Sequence, residues 1–419
     1  MVSLTDILIL IVFIAEVVFL AVMEKRMWNT IYTPLNILML PSAFVMLVSV
    51  IMVSVLRLYP FYYPSILIWC VGLIFFFIPS AICNIFANKT VSITSMPMPR
   101  LPHGWIIFSM TMLLIAIYFF HLYSSMSATS ALLGSDEFAE ETSSGGIWAH
   151  LLVLLFALEI LCFCYISKKR WYFIFPIILV VIACVIYQVK GWVLIPLFTG
   201  VIINIYTARL KITPRLILIV FVCGAGFFFL SYYLSLVVSA NKDFTDEVMF
   251  FILKNFFHYF SSGFLGLSMD CDRGILEQQS VEYLFTPFVN IYYYITGGEM
   301  ASSLNNFFLY TTWEGLGTNI RSFMGTIYVY GGIYYAPLVV MLYSFVAYTI
   351  RIMLLRKQTY FWLLTDAWMS ALLFMGWFDY YFALLKPFET VLIFALLSFG
   401  IQFLTPKSKT LQSNGISEI

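Results

Sequence analysis

Charged side chains make up only 10% of these 419 residues, so the places where they gather carry information. One such place lies between Ala240 and Phe323. It holds the cations Lys242, Lys254, Arg273 and Arg321, together with His258, Asp270, Asp272, Glu277, Glu282, Glu299 and Glu314. Lys190 stands apart, between two apolar runs earlier in the chain. A guanidinium suits phosphate or carboxylate because its planar fork makes two parallel hydrogen bonds. Placed where negative charge develops, a cation lowers the barrier of a step that releases an anion. A carboxylate or an imidazole within hydrogen-bond reach of a hydroxyl can take its proton. Arg321, Arg273 and Lys190 are therefore the candidates for stabilising an anion, and His258 and Glu314 those for moving a proton. Trp313, Thr318, Asn319 and Asp270 sit near them in sequence and are candidate substrate contacts.

Each of these residues also has a structural reading. Lys190 between two spans could snorkel to headgroups. Arg273 lies in Asp270-Cys271-Asp272-Arg273-Gly274, where a local salt bridge or turn explains it equally well. His258 could be a satisfied interfacial side chain. Trp313 and Glu314 could anchor at a membrane interface, and Asn319 could cap the following helix. Ionisable groups inside apolar runs, Glu16 and Glu159 above all, with Asp366 and Asp379 nearer run ends, are either functional or paired with a polar group on a neighbouring helix.

The elements that position these groups follow from composition. Hydrophobic residues are 62% of the chain and mean hydropathy is +0.95, whereas soluble domains carry about 25% charged residues. The apolar runs are about 20 residues long, enough for a helix to cross about 30 Å of hydrocarbon. The expected fold is an all-α integral membrane protein of about eleven transmembrane helices. They are expected near 5–23, 33–56, 63–87, 104–123, 147–166, 171–189, 192–208, 214–239, 324–350, 359–380 and 384–404. Residues 1–239 then form eight spans with short loops, 240–323 one long loop, and 324–419 three spans and a tail. The long loop is rich in Phe and Tyr, so its segments should be short interfacial or re-entrant helices. Residues 124–146 read as a flexible acidic loop.

Lys and Arg concentrate in loops on the cytoplasmic side. Lys25, Arg26, Lys168, Lys169, Arg170, Arg209, Lys211, Arg215, Arg356 and Lys357 fall on one side of the expected spans. Arg57, Lys190, Arg273, Arg321 and Lys386 fall on the other, which is thereby read as extracytoplasmic. A formal net charge of +1 gives no electrostatic case for nucleic acid. Six of the seven Cys lie in apolar runs, so no disulfide framework or metal cluster is expected.

Two stretches carry a resemblance. Phe257-His258-Tyr259-Phe260-Ser261-Ser262-Gly263-Phe264-Leu265-Gly266-Leu267 places an aromatic, a small-residue pair and then a Leu. Gly317-Thr318-Asn319-Ile320-Arg321 leads into Gly325-Thr326-Ile327-Tyr328-Val329-Tyr330-Gly331-Gly332, with ten residues between Arg321 and Gly332. Both resemble Wzy-type oligosaccharide repeat-unit polymerases of O-antigen and capsular polysaccharide, chiefly over residues 240–350. Lys190 stands where that family often has an Arg.

The resemblance implies a glycosyltransferase in the bacterial cytoplasmic (inner) membrane, acting at its extracytoplasmic face. It would move a growing glycan from undecaprenyl pyrophosphate onto a second lipid-linked repeat unit, with no metal, cofactor or nucleotide sugar. The implied partners are that lipid-linked oligosaccharide, the bilayer, a chain-length regulator and a flippase. Two other classes fit the hydropathy: an O-antigen ligase-like transferase, and a flippase or other secondary carrier. Carriers usually show paired halves and short loops on both sides. No internal repeat is visible here, and one loop is long.

Overall fold

The computed structural model describes residues 3–87, 93, 96, 104–129, 146–186, 190–233, 243–274, 280–301, 304, 308–312 and 315–404. Of the acidic loop expected at 124–146, residues 124–129 instead continue a helix and 130–145 lie outside the described residues, as does the C-terminal tail from 405 onward. Among the described residues are thirteen α-helices and one two-stranded hairpin. The helices are α1 (Leu4–Trp28), α2 (Pro34–Val55), α3 (Ile66–Ile85), α4 (Gly104–Thr129), α5 (Ile147–Tyr165), α6 (Ile174–Ile186) and α7 (Lys190–Tyr206). They continue as α8 (Pro214–Tyr233), α9 (Asp246–Arg273), α10 (Thr286–Thr296), α11 (Phe323–Lys357), α12 (Tyr360–Phe374) and α13 (Lys386–Leu404). Strands β1 (Leu309–Tyr310) and β2 (Gly317–Thr318) pair antiparallel.

Six helices, α1 to α5 and α11, are long and apolar enough to cross a membrane, and α6, α7 and α8 are shorter apolar helices. The chain is a multi-pass membrane protein. The first two helices start where local signals expect them, whereas α9, 28 residues long, stands in the stretch expected to hold only short interfacial or re-entrant helices. Ser3 and Asp6 form a capping box at the start of α1, and Lys25 and Arg26 fill its last turn. Thr33 caps α2, and Pro34 occupies its first turn.

The end of the bundle that carries Lys25, Arg26 and Arg356 is cross-tied by buried polar groups. Glu24 of α1 accepts from Ser80 of α3 and from the Tyr348 hydroxyl of α11. Arg351 of α11 pairs with Asp366 of α12 at 2.8 Å and donates to the Tyr206 hydroxyl of α7 and to the Tyr32 carbonyl. Asp366 is thus one of the intramembrane acids that pairs across helices. Glu16 and Glu159 each keep one buried carboxylate oxygen without a hydrogen-bond partner among the described residues.

Helix α11 departs from the single span expected at 324–350. Its chain reverses at Gly332, where φ is 58° and ψ −166°, a region essentially closed to residues with a Cβ. The Phe323 and Tyr343 rings lie 6.0 Å apart, yet twenty residues of straight helix would separate them by about 30 Å. Likewise Trp69 donates to Ser322, while Phe76, only seven residues further along α3, accepts from Ser344. Phe323–Gly331 is therefore a half-helix folded back against the longer limb that begins at Ile333. Its start lies about 14 Å below the crest at Gly332.

A second interruption follows α12, where the chain runs irregularly from Met375 to Leu385 before α13 begins. The segment that leads into α11 and the one that follows α12 both dock on α9. Ser322 N–H donates to the Gly263 carbonyl at 3.0 Å. A Cβ at Gly263 would strike the carbonyls of Trp377 and Phe378, and one at Gly266 would strike Ile320 and Arg321. Small residues on one face of α9 let two other backbones approach closely. That is the structural use of the Ser-Ser-Gly run singled out in the sequence.

Candidate functional site

Arg321 lies three residues beyond β2, just before the half-helix, and is 1% exposed. Its Nε donates to Asp270 Oδ2, a terminal nitrogen donates to Asp270 Oδ1 at 3.1 Å, and the other terminal nitrogen donates to the Ile320 carbonyl at 3.0 Å. Asp270 sits in the last turns of α9, where the helix dipole disfavours an acid, and is itself buried. The fork-to-fork contact with Arg321 favours the ionised form, but burial outweighs it and raises the Asp270 carboxyl above its ordinary range. The pair brings together two sequence candidates, with a correction of partner: Asp270 binds the distant Arg321, while Arg273 is exposed. Arg273 lies over the Tyr59 ring, 4.9 Å from its centre, and the Tyr59 hydroxyl donates to Asp272 at 2.7 Å.

Around this pair stand groups that the sequence did not bring together. Asp379, in the irregular segment after α12, lies within electrostatic reach of the Arg321 guanidinium. Burial raises its carboxyl to about 7, against the opposing pull of the Tyr380 N–H, which donates to Oδ1 at 2.8 Å, and of Arg321. Asp379 still keeps part of its own surface accessible. Tyr330, on the half-helix, is within reach of Arg321, Asp270 and Asp379, and its buried hydroxyl has no hydrogen-bond partner among the described residues. Its ring rests against Tyr283 at 5.9 Å. Tyr381 has a buried hydroxyl of the same kind, facing the backbone of Gly191. That contact brings the start of α7, where Lys190 lies, beside the Asp379 segment. The side chain of Lys190 is outside the described residues.

The remaining candidates separate. His258 is buried, and its Nε2 lies 2.7 Å from the Thr311 hydroxyl, which also lies 2.9 Å from the Leu316 carbonyl. A carbonyl can only accept, and the hydroxyl has one proton, so both contacts are satisfied when Nε2–H donates to Thr311. His258 thus ties the β-hairpin to α9. Thr318 is buried in that hairpin, its hydroxyl accepting from Ile320 N–H at 3.0 Å, while Asn319 is exposed. Trp313 and Glu314 lie outside the described residues.

The arrangement places one carboxylate in direct contact with Arg321 and a second, raised to about 7, outside that contact, with an unengaged phenol beside both. Two acids with environments that differ in this way are suited to divided roles in proton transfer. Among the described residues no group of three or more His, Cys, Asp or Glu is placed to hold a metal ion. Asp379 was visible in the sequence as an ionisable residue near a span, and Tyr330 within the Tyr-Val-Tyr-Gly-Gly run. Only tertiary contact joins them to Arg321.

No curated protein and no solved structure matches the chain. A family model does match residues 57–405, a range that contains Arg321, Asp270, Asp379 and Tyr330, and the chain belongs to that family, which is described as a family of unknown function (DUF6337).

Proposed function

We propose that this protein is a membrane glycosyltransferase with about eleven spans that polymerises lipid-pyrophosphate-linked oligosaccharide repeat units at the extracytoplasmic face of a bacterial cytoplasmic membrane. The observation that carries the reading is the buried Arg321–Asp270 pair with Asp379 in electrostatic reach, held on α9 and on two irregular segments. In the proposed step, Asp379 takes the proton of the acceptor hydroxyl as that oxygen bonds to the anomeric carbon. The bond from that carbon to the pyrophosphate oxygen breaks, and its electron pair leaves with the phosphate. Arg321, Arg273 and the Tyr330 hydroxyl face the charge that develops there. A carboxyl near 7 is matched to a base working at neutral pH. Undecaprenyl pyrophosphate is the proposed lipid, and a chain-length regulator and a flippase the proposed partners.

Deleting the gene should abolish long glycan chains and leave a single repeat unit on the carrier, read on a glycan gel. Long chains persisting in the deletion strain would refute the reading, and loss of every repeat unit would favour a ligase-like or flippase role. One observation favours a carrier as the second reading: a half-helix that starts midway through the bundle, as at Phe323–Gly331, is a device carriers use at their substrate sites.

A further inference from the structure

Helix α10 exposes Phe288, Ile291, Tyr292 and Ile295. Their spacing of three, four and seven residues places them on one face, with Val289, Asn290 and Tyr293 less exposed on the other. The less exposed face is occupied: Asn290 bonds both the N–H and the carbonyl of Ala301, closing the following loop back on the helix. What meets the apolar face is indicated by its surroundings. Phe288 packs edge-on against Phe388, 4.7 Å away, in the first turn of α13. From that turn an exposed stripe of Leu392, Leu396, Phe399 and Phe403 runs down α13. That stripe belongs to an apolar helix of a multi-pass bundle, where lipid is the solvent. The α10 face continues it at the end where α13 starts.

We infer that α10 lies in the interfacial layer of the leaflet at that end, with its Phe288, Ile291, Tyr292 and Ile295 face in lipid. Tyr292 and its neighbours Tyr293 and Tyr294 have the amphipathic rings that settle at headgroup depth. The placement has a consequence for the site. The turn at Val281–Phe285 joins α10 to it, with Tyr283 against Tyr330 and the Leu284 carbonyl accepting from the Tyr380 hydroxyl at 2.9 Å. Anchoring α10 in the leaflet fixes the depth at which the Arg321 cluster meets molecules carried in that leaflet. The inference concerns contact with lipid and does not depend on the proposed reaction.

The test is spin-label accessibility in nanodiscs of phosphatidylcholine and phosphatidylglycerol, using full-length protein in which Cys223 and Cys271 are replaced by Ser. Labels at 291, 292 and 295 are compared with one at Phe399 and one at Asp243, using oxygen and a water-soluble nickel chelate as relaxers. The three α10 sites should show an oxygen-to-nickel ratio close to that at 399 and several-fold above that at 243. A ratio like that of 243 would place α10 in water. Low collision rates with both relaxers would place it against a second copy or a protein partner, and either result overturns the inference. A photo-crosslinking residue at Tyr292, introduced into the unmodified cysteine background, provides an independent reading. Phospholipid adducts are expected, and adducts to protein alone would count against it.

Discussion

Removing Arg321 is a sharp perturbation because its partner stays behind. With the guanidinium 1% exposed and both carboxylate oxygens of Asp270 engaged by it, Arg321→Ala leaves a buried carboxylate uncompensated at a helix C-terminus. Breaking a buried pair from one side typically costs about 3–5 kcal/mol, whereas replacing both partners is far milder. The Arg321→Ala variant should therefore lose several kcal/mol, on the order of 3 or more. Asp270→Asn combined with Arg321→Met should recover more than half of that loss. The two sites are in direct contact, so non-additivity is itself the signal. The assay is thermal unfolding in detergent, followed by fluorescence-detected size exclusion, on Arg321→Ala, Arg321→Met, Asp270→Asn and the Asp270→Asn/Arg321→Met double. Equal losses in Arg321→Ala and in the double variant, or a loss below about 1 kcal/mol as for a surface pair, would refute the view that this pair is a buried, mutually dependent unit.

Further outcomes are expected at Asp379, Gly332 and His258. With its carboxyl raised to about 7, Asp379 as a base should give a polymerisation rate that rises through pH 7. Asp379→Asn should remove the activity, and a flat profile between pH 6 and 8 would count against the role. For stability the sign is opposite: the folded state holds the Asp379 proton more tightly than the unfolded state, so this group's contribution falls as pH rises from about 4 to 7. That slope, read from unfolding midpoints, should vanish in Asp379→Asn. Gly332→Ala forces a Cβ into a glycine-only conformation and should cost about 1–3 kcal/mol, whereas Gly400→Ala, in a regular helix with open space around it, should be nearly neutral or slightly stabilising. His258→Gln can still donate to Thr311 and should retain most function, while His258→Phe should loosen the 309–318 hairpin. Equal loss of glycan polymer in both at normal protein level would point instead to chemistry at the imidazole.

Much of the scaffold was legible because membrane helices announce themselves locally. Ser3, Thr33 and Pro34 set helix starts, and Lys25, Arg26, Arg356 and Lys357 mark ends. The reversal at Gly332 was not legible. An apolar run through Gly331-Gly332 is long enough to span, and only the contact of Phe323 with Tyr343 and that of Ser322 with Trp69 reveals the fold-back. The site shows the same division. Arg321 and Asp270 were each conspicuous as charges in a polar stretch, but Arg273 is three residues from Asp270 and drew the local pairing. The actual partner is set by α9 and the 319–322 segment meeting through Gly263 and Gly266. His258 was conspicuous for its type, and its hydrogen bond to Thr311 decides that it holds a hairpin. Asp379 reaches Arg321 only through the packing of the post-α12 segment on α9, which no spacing rule encodes.

The most direct measurement uses purified protein in proteoliposomes supplied with a lipid-pyrophosphate-linked repeat unit and nothing else, with products resolved by length. Wild-type protein should convert single units into a ladder and release free lipid pyrophosphate in proportion to the bonds formed, and Asp379→Asn at equal incorporation should do neither. A wild-type protein that leaves the units unchanged while moving them across the bilayer, or an Asp379→Asn variant that builds the ladder at full rate, would contradict the account.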